Sequence, residues 1–210
     1  RDLYPAGPGA GAQILPPPPP VNAEPCGVLG ETANLPSLLR LLYLAQRPSR
    51  GSIQLFGEDA AALPRDRLPG FRRRIGVVFQ ERLFVEHLTV AENVAVRLVP
   101  FGVPASERRA RAAIELERLG LSGYLDRSVP TLSSGERQRV AVARAGITEP
   151  RLLLADEPTA SVDEETGVRV LEYLARLRDR GTTLLVSSHD ESAREKADAH
   201  LELVGGRLVV

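Results

Sequence analysis

The 210-residue chain has no methionine, no tryptophan and one cysteine, Cys26, and Lys196 is its only lysine. A single cysteine excludes an internal disulfide and fits a reducing compartment, where Cys26 serves as a small buried hydrophobe. Without methionine Arg1 is not a natural start, so the chain is expected to be a fragment, a processed form or an altered sequence. Net charge is absent too, because 27 basic residues balance 27 acidic ones. That removes the field that draws a protein to nucleic acid or to an anionic membrane. The arginine runs "FRRR" and "SERRARA" are therefore solvated faces, and no nucleic-acid partner is expected. No apolar run reaches the roughly 18 residues of a spanning helix, and no charged-then-apolar leader opens the chain. A soluble domain is expected, with any membrane role supplied by a partner.

What is present is enough for one core. With 43% hydrophobic residues, the chain is expected to form a single domain over residues 1–210. Residues 1–25 are rich in glycine and proline, and "PPPPP" at 16–20 cannot donate ladder hydrogen bonds, so this end is expected to be irregular. "CGVLG" at 26–30 is a short apolar run ending in glycine, consistent with a buried strand entering a turn. A helix should follow, with Asn34 as N-cap, Pro36 in the first turn and Leu38, Leu39, Leu41 and Leu42 on its apolar face. "GSIQLFG" at 51–57 alternates as a strand does, and "RIGVVFQ" at 74–80 has the pattern of a buried strand. Residues 86–146 turn helical, which predicts a helical subdomain inserted in the larger fold. "RLLLADEP" at 151–158 is a strand buried on both faces, "ETGVRVLEYLARLRDRG" an amphipathic helix closed by Gly181, and "TTLLVSSHD" another buried strand. Strand, helix and strand in alternation predict an α/β fold on a mainly parallel sheet, with ligands at the carboxyl ends of the strands.

Two carboxylates, Asp156 and Glu157, fall at such an end. One can hold Mg²⁺ while its neighbour polarises a water for attack on phosphorus. The bland alternative is a solvated loop after a strand. "TLSSGERQR" at 131–139 puts Ser133, Ser134 and Gly135 ahead of a helix, with Ser133 and Glu136 spaced as a capping box. Capping explains the spacing by itself, yet exposed N–H groups and a hydroxyl at a helix start also suit a phosphate oxygen. Gln80 and His189 close two other strands.

In this order and spacing the residues resemble the ATP-binding cassette (ABC) ATPases, from about Gly27 to Arg207. Matched position by position, Gln80 resembles the Q-loop glutamine and "LSSGE", with Ser133, Ser134, Gly135 and Glu136, the signature motif. Asp156 and Glu157 resemble the Walker B pair, Asp163 the D-loop aspartate and His189 the switch histidine. Gly30, Glu31, Thr32, Ala33, Asn34, Leu35, Pro36, Ser37 and Leu38 occupy the Walker A positions. Stretches such as "FRRRIGVVFQ", "LLADEPT" and "GGRL" are most similar to the FtsE branch of the family, which serves cell division, with the lipoprotein and macrolide exporters close by. The resemblance implies a P-loop NTPase fold with a small antiparallel β region, and it implies ATP and Mg²⁺ as ligands. Asp156, Ser37 and Gln80 are then at the metal, Glu157 is the general base, and Gln80 and His189 position the γ-phosphate and water. It also implies a head-to-tail dimer, with itself or with another ABC subunit. The dimer couples to an integral, FtsX-like permease at the cytoplasmic face of a bacterial inner membrane, where the subunit is peripheral.

The Walker A pattern G-x-x-x-x-G-K-[ST] is kept only at Gly30 and Ser37. Leu35 replaces the second glycine, and a left-handed backbone there would cost about 1–2 kcal/mol. Pro36 replaces the lysine and removes a backbone N–H. A lost charge-assisted hydrogen bond of about 1.5–3 kcal/mol predicts roughly ten- to a hundredfold weaker binding. An ATP-hydrolysing subunit and a pseudo-ATPase binding module are both open on this reading.

Overall fold

The computed structural model describes residues 27–29, 35–79, 83–160, 162–188, 195, 197–204 and 207–209. The predicted irregular segment, the Asn34 cap, and Cys26, Gln80 and His189 lie outside them. The elements run β1 (Gly27–Leu29), α1 (Leu35–Leu42), β2 (Gln54–Leu55), β3 (Glu58–Asp59), α2 (Leu68–Arg73), β4 (Ile75–Val78), α3 (Val90–Ala95) and α4 (Ala105–Arg118). They continue with α5 (Ser134–Gly146), β5 (Leu152–Asp156), α6 (Glu164–Asp179), β6 (Thr183–Ser187), β7 (Ala199–Val204) and β8 (Arg207–Val209).

One six-stranded sheet in the order β4-β5-β6-β1-β7-β8 forms the frame, and its first five strands are parallel. Within this sheet, among the described residues, only β7 and β8 pair antiparallel. The apolar runs explain the middle: Leu153, Leu154 and Ala155 on β5 are fully buried, as expected of a parallel strand covered on both faces. On one side β5 packs with Val140, Val142, Val170 and Leu174 from α5 and α6, and on the other with Leu38, Leu39 and Leu42 of α1. The 86–146 stretch contains α3, a 3-10 helix at Val96–Phe101, α4 and α5.

Two expectations are corrected. The strand foreseen over 51–57 is reduced to Gln54–Leu55, because Phe56 (φ +54°) and Gly57 (φ +83°) turn the chain straight back into β3. Two positive φ values in succession make the tight hairpin turn that suits strand twist, and this small antiparallel pair is the β region foreseen. The second correction concerns Leu35, which is the first residue of α1 and right-handed. No left-handed backbone is required there, so the predicted strain of a Cβ falls away.

Candidate functional site

Parallel pairing brings several strand ends to one level. Leu29 of β1 and Asp156 of β5 both register with Ser187 of β6. Ser187 thus stands between them, and with strands about 4.8 Å apart β1 ends at Leu29 about two strand widths from Asp156. On the other flank Val78 of β4 registers with Ala155, two residues before Gln80, and β6 ends two residues before His189.

At that edge Asp156 and Glu157 are half-exposed. The Ser187 hydroxyl donates to Asp156 Oδ1 at 2.7 Å, and the Glu157 N–H donates to both the carbonyl and the hydroxyl oxygen of Ser187 at 3.1 Å. Glu157 itself has φ +47°, a conformation that costs a residue with a Cβ about 1–2 kcal/mol. The following turn is held from the opposite side by Gln138 of α5. Its amide, 2% exposed, donates to Pro158 O at 2.9 Å. Sequence reasoning missed both Ser187 and Gln138; the one signal for them was a polar residue inside an apolar pattern.

The donor set fits a Mg²⁺ ion. Asp156 offers a carboxylate whose second oxygen accepts no hydrogen bond from the described residues, and Mg²⁺ is commonly held by one or two carboxylates plus phosphate oxygens and water. No group of three or more His, Cys, Asp or Glu side chains placed to hold a metal ion occurs among the described residues. Ser37, on the first turn of α1, is half-exposed, whereas the Leu38 side chain lies in the core at 7% exposure. The phosphate cradle fits less well. Pro36 occupies the first turn of α1 and has no N–H to donate, and no lysine stands nearby in sequence.

Ser133 caps α5 as foreseen: its hydroxyl accepts from Glu136 N–H at 3.2 Å, and the Glu136 carboxylate accepts from Ser133 N–H at 2.7 Å. Ser133 and Ser134 are exposed, and Gly135 is half-exposed. Asp163 is the N-cap of α6, accepting from Thr166 N–H at 2.9 Å, and these bonds hold its carboxyl below the ordinary aspartate range. Glu136 also accepts from the Tyr124 hydroxyl at 2.7 Å, which together with the Ser133 N–H lowers its pKa and raises that of the phenol. Because the folded carboxyl is depressed, its contribution is complete above the unfolded value of about 4.3 and is lost as pH falls through the lower folded value. Glu136→Gln keeps the capping geometry without the charge. Its deficit in urea stability should be largest near neutral pH and should shrink below about pH 4; a pH-independent deficit would refute this account.

Segment 83–89 is anchored by Asn93, fully buried, which donates to the carbonyls of Val85, Leu88 and Thr89 at 3.0 Å. Outside this anchor Leu83 (80% exposed), Val99 (51%) and Phe101 (50%) leave apolar surface in water.

A mainly parallel sheet whose β1, β5 and β6 end at one level beside a carboxylate pair is the frame of an α/β domain of the P-loop class. The profile of the ABC transporter family matches residues 36–160. The chain is 40% identical over 189 residues to the methionine import ATP-binding protein MetN of Caulobacter vibrioides, covering 89% of this chain and 57% of that protein. It is 41% identical over 174 residues to the lipoprotein-releasing system ATP-binding protein LolD of Oleidesulfovibrio alaskensis, 82% of this chain and 75% of that one. The dimeric post-hydrolysis structure of the ATP-binding cassette MJ0796, bound to ADP and Pi, superimposes with a TM-score of 0.82 at 28% identity, over 90% of this chain and 87% of that one. The chain belongs to the ABC transporter ATP-binding family and has the ABC ATPase fold. It spans little more than half the length of MetN, and no helix among its described residues is long and apolar enough to cross a membrane.

Proposed function

We propose that this chain is the ATP-binding subunit of an ABC-type complex, coupling ATP binding and hydrolysis to an integral membrane permease through a cassette dimer. What supports it most is the common level of Leu29, Asp156 and Ser187, the last residues of β1, β5 and β6, at one edge of the sheet. In this reading Asp156, with Ser37 and Gln80, holds Mg²⁺, which supplies charge neutralisation at the transferring phosphoryl group. Glu157 accepts the proton of the attacking water, and His189 and Gln80 orient that water and the γ-phosphate. Ser133 and Gly135 serve the partner subunit's nucleotide. In this reading the exposed apolar side chains Leu83, Val99 and Phe101 are candidates to meet the permease. The finer assignment, an FtsE-like subunit of cell division with an FtsX-like permease, rests on the quoted stretches alone. The relatives reported above act in import and lipoprotein release by name, so an exporter ATPase of the lipoprotein or macrolide kind is equally served by this geometry.

The test is phosphate release by the full chain with Mg²⁺ and ATP, set against Glu157→Gln. Activity well above that variant supports hydrolysis, and equality with it refutes hydrolysis. Pro36 at the start of α1 favours a second reading, a pseudo-ATPase that keeps the fold and docks the permease without turnover. Titration with a fluorescent ATP analogue tests its motive, since micromolar affinity in the unaltered chain would show that the altered loop does not prevent nucleotide binding.

A further inference from the structure

We propose that Ser187 is a positioning residue that sets the Asp156 carboxylate for a divalent cation and holds Glu157 in its left-handed turn. This rests on the nucleotide-site reading given above but concerns a residue to which that reading gives no role. Ser187 is 2% exposed and is the last residue of β6, directly between the ends of β5 and β1. A buried hydroxyl must find partners or lose the hydrogen bonds it had in water. Here it finds them in the site. The hydroxyl has one proton, and the contact to Asp156 Oδ1 at 2.7 Å is far shorter than the alternative to Ala155 O at 3.4 Å. The proton therefore goes to Asp156, which fixes one carboxylate oxygen and leaves the other as the ligand.

The same oxygen accepts from the Glu157 N–H at 3.1 Å, so one side chain addresses both members of the pair. Glu157 has φ +47°, and a strained backbone persists only where its surroundings over-determine it. Ser187 from the sheet and Gln138 from α5, bonded to Pro158 O at 2.9 Å, supply that constraint. Alanine at 187 removes only the side-chain part, because the Glu157 N–H keeps its bond to the Ser187 carbonyl at 3.1 Å. The expected defect is therefore in how Asp156 is held, with the fold retained.

The experiment is Mn²⁺ binding to the full chain, followed by electron paramagnetic resonance of the free ion without nucleotide, alongside ATP binding measured in EDTA. Ser187→Ala should weaken Mn²⁺ about three- to tenfold, leave metal-free ATP affinity unchanged, and be rescued by Ser187→Thr, which restores a hydroxyl. A Mn²⁺ affinity of Ser187→Ala within twofold of the wild type overturns the proposal. So does an equal loss of metal-free ATP binding, a failure of the threonine variant to rescue, or the absence of Mn²⁺ binding by the wild type. Should Ser187→Ala not fold, Ser187→Cys, of similar size with a weak donor, takes its place under the same limits. A chain that binds Mn²⁺ as predicted but never binds ATP would refute the proposed function and leave the role of Ser187 standing.

Discussion

Replacing Pro36 with lysine should tighten ATP binding by about ten- to a hundredfold. The ammonium would regain a charge-assisted hydrogen bond of about 1.5–3 kcal/mol, and the substitution would also return a backbone N–H to the first turn of α1, where N–H groups have no partner within the helix. The companion change, Leu35→Gly, should add little. Leu35 is already right-handed at the head of α1, and glycine in a helix costs up to about 1 kcal/mol against alanine. Titration of a fluorescent ATP analogue into the chain with Pro36→Lys, Leu35→Gly and both changes gives the answer. Most of the gain should come with the lysine. Should the glycine alone restore affinity, the helical start of α1 would be the wrong description of the binding state.

The largest loss of stability should come from Gly76→Ala. A Cβ at Gly76 on β4 would stand 2.5 Å from the carbonyl oxygen of Ala145 and 2.9 Å from Pro150 Cγ. The obstacle is helix backbone, which cannot rotate aside as a side chain can, so β4 or α5 must move. Overpacking of this kind costs about 1–3 kcal/mol and occasionally more, and the upper end is expected here. Gly70→Ala is the control: it lies within α2 with nothing inside 4 Å of its Cβ, so it should stabilise by about 0.5–1 kcal/mol through helix propensity. Urea midpoints of the two variants should move in opposite directions. A Gly76→Ala midpoint unchanged from the wild type would mean that α5 does not press on β4 as described.

Much of this architecture was legible in the chain because its signals are local. Four consecutive apolar residues at 152–155 have the pattern of a strand covered on both faces, and Ser133 with Glu136 names a helix start through two reciprocal hydrogen bonds. The hairpin at Phe56 is not legible in the sequence, because positive φ at a phenylalanine has no sequence signature. The ring is instead held from outside, with the guanidinium groups of Arg74 and Arg151 lying 4.6 and 5.2 Å from its centre. In the site, the carboxylate pair announced itself by ending an apolar run. Ser187 did not, since its meaning depends on which strand lies beside it, and pairing order is a long-range property. Leu35 shows the same limit in reverse: a motif position suggested strain that the local helix does not impose.

Among the described residues β1 spans only Gly27–Leu29, yet it is what joins β6 on one side to the β7–β8 hairpin on the other. It works as a keystone, so the early strand and the late strands of the sheet depend on each other for shelter. Shaving the chain back past Leu29 would split the sheet into two halves and bare a raw edge on each, the kind of edge on which strands of neighbouring molecules recruit one another. A truncated form should therefore fail by clumping well before its helices melt.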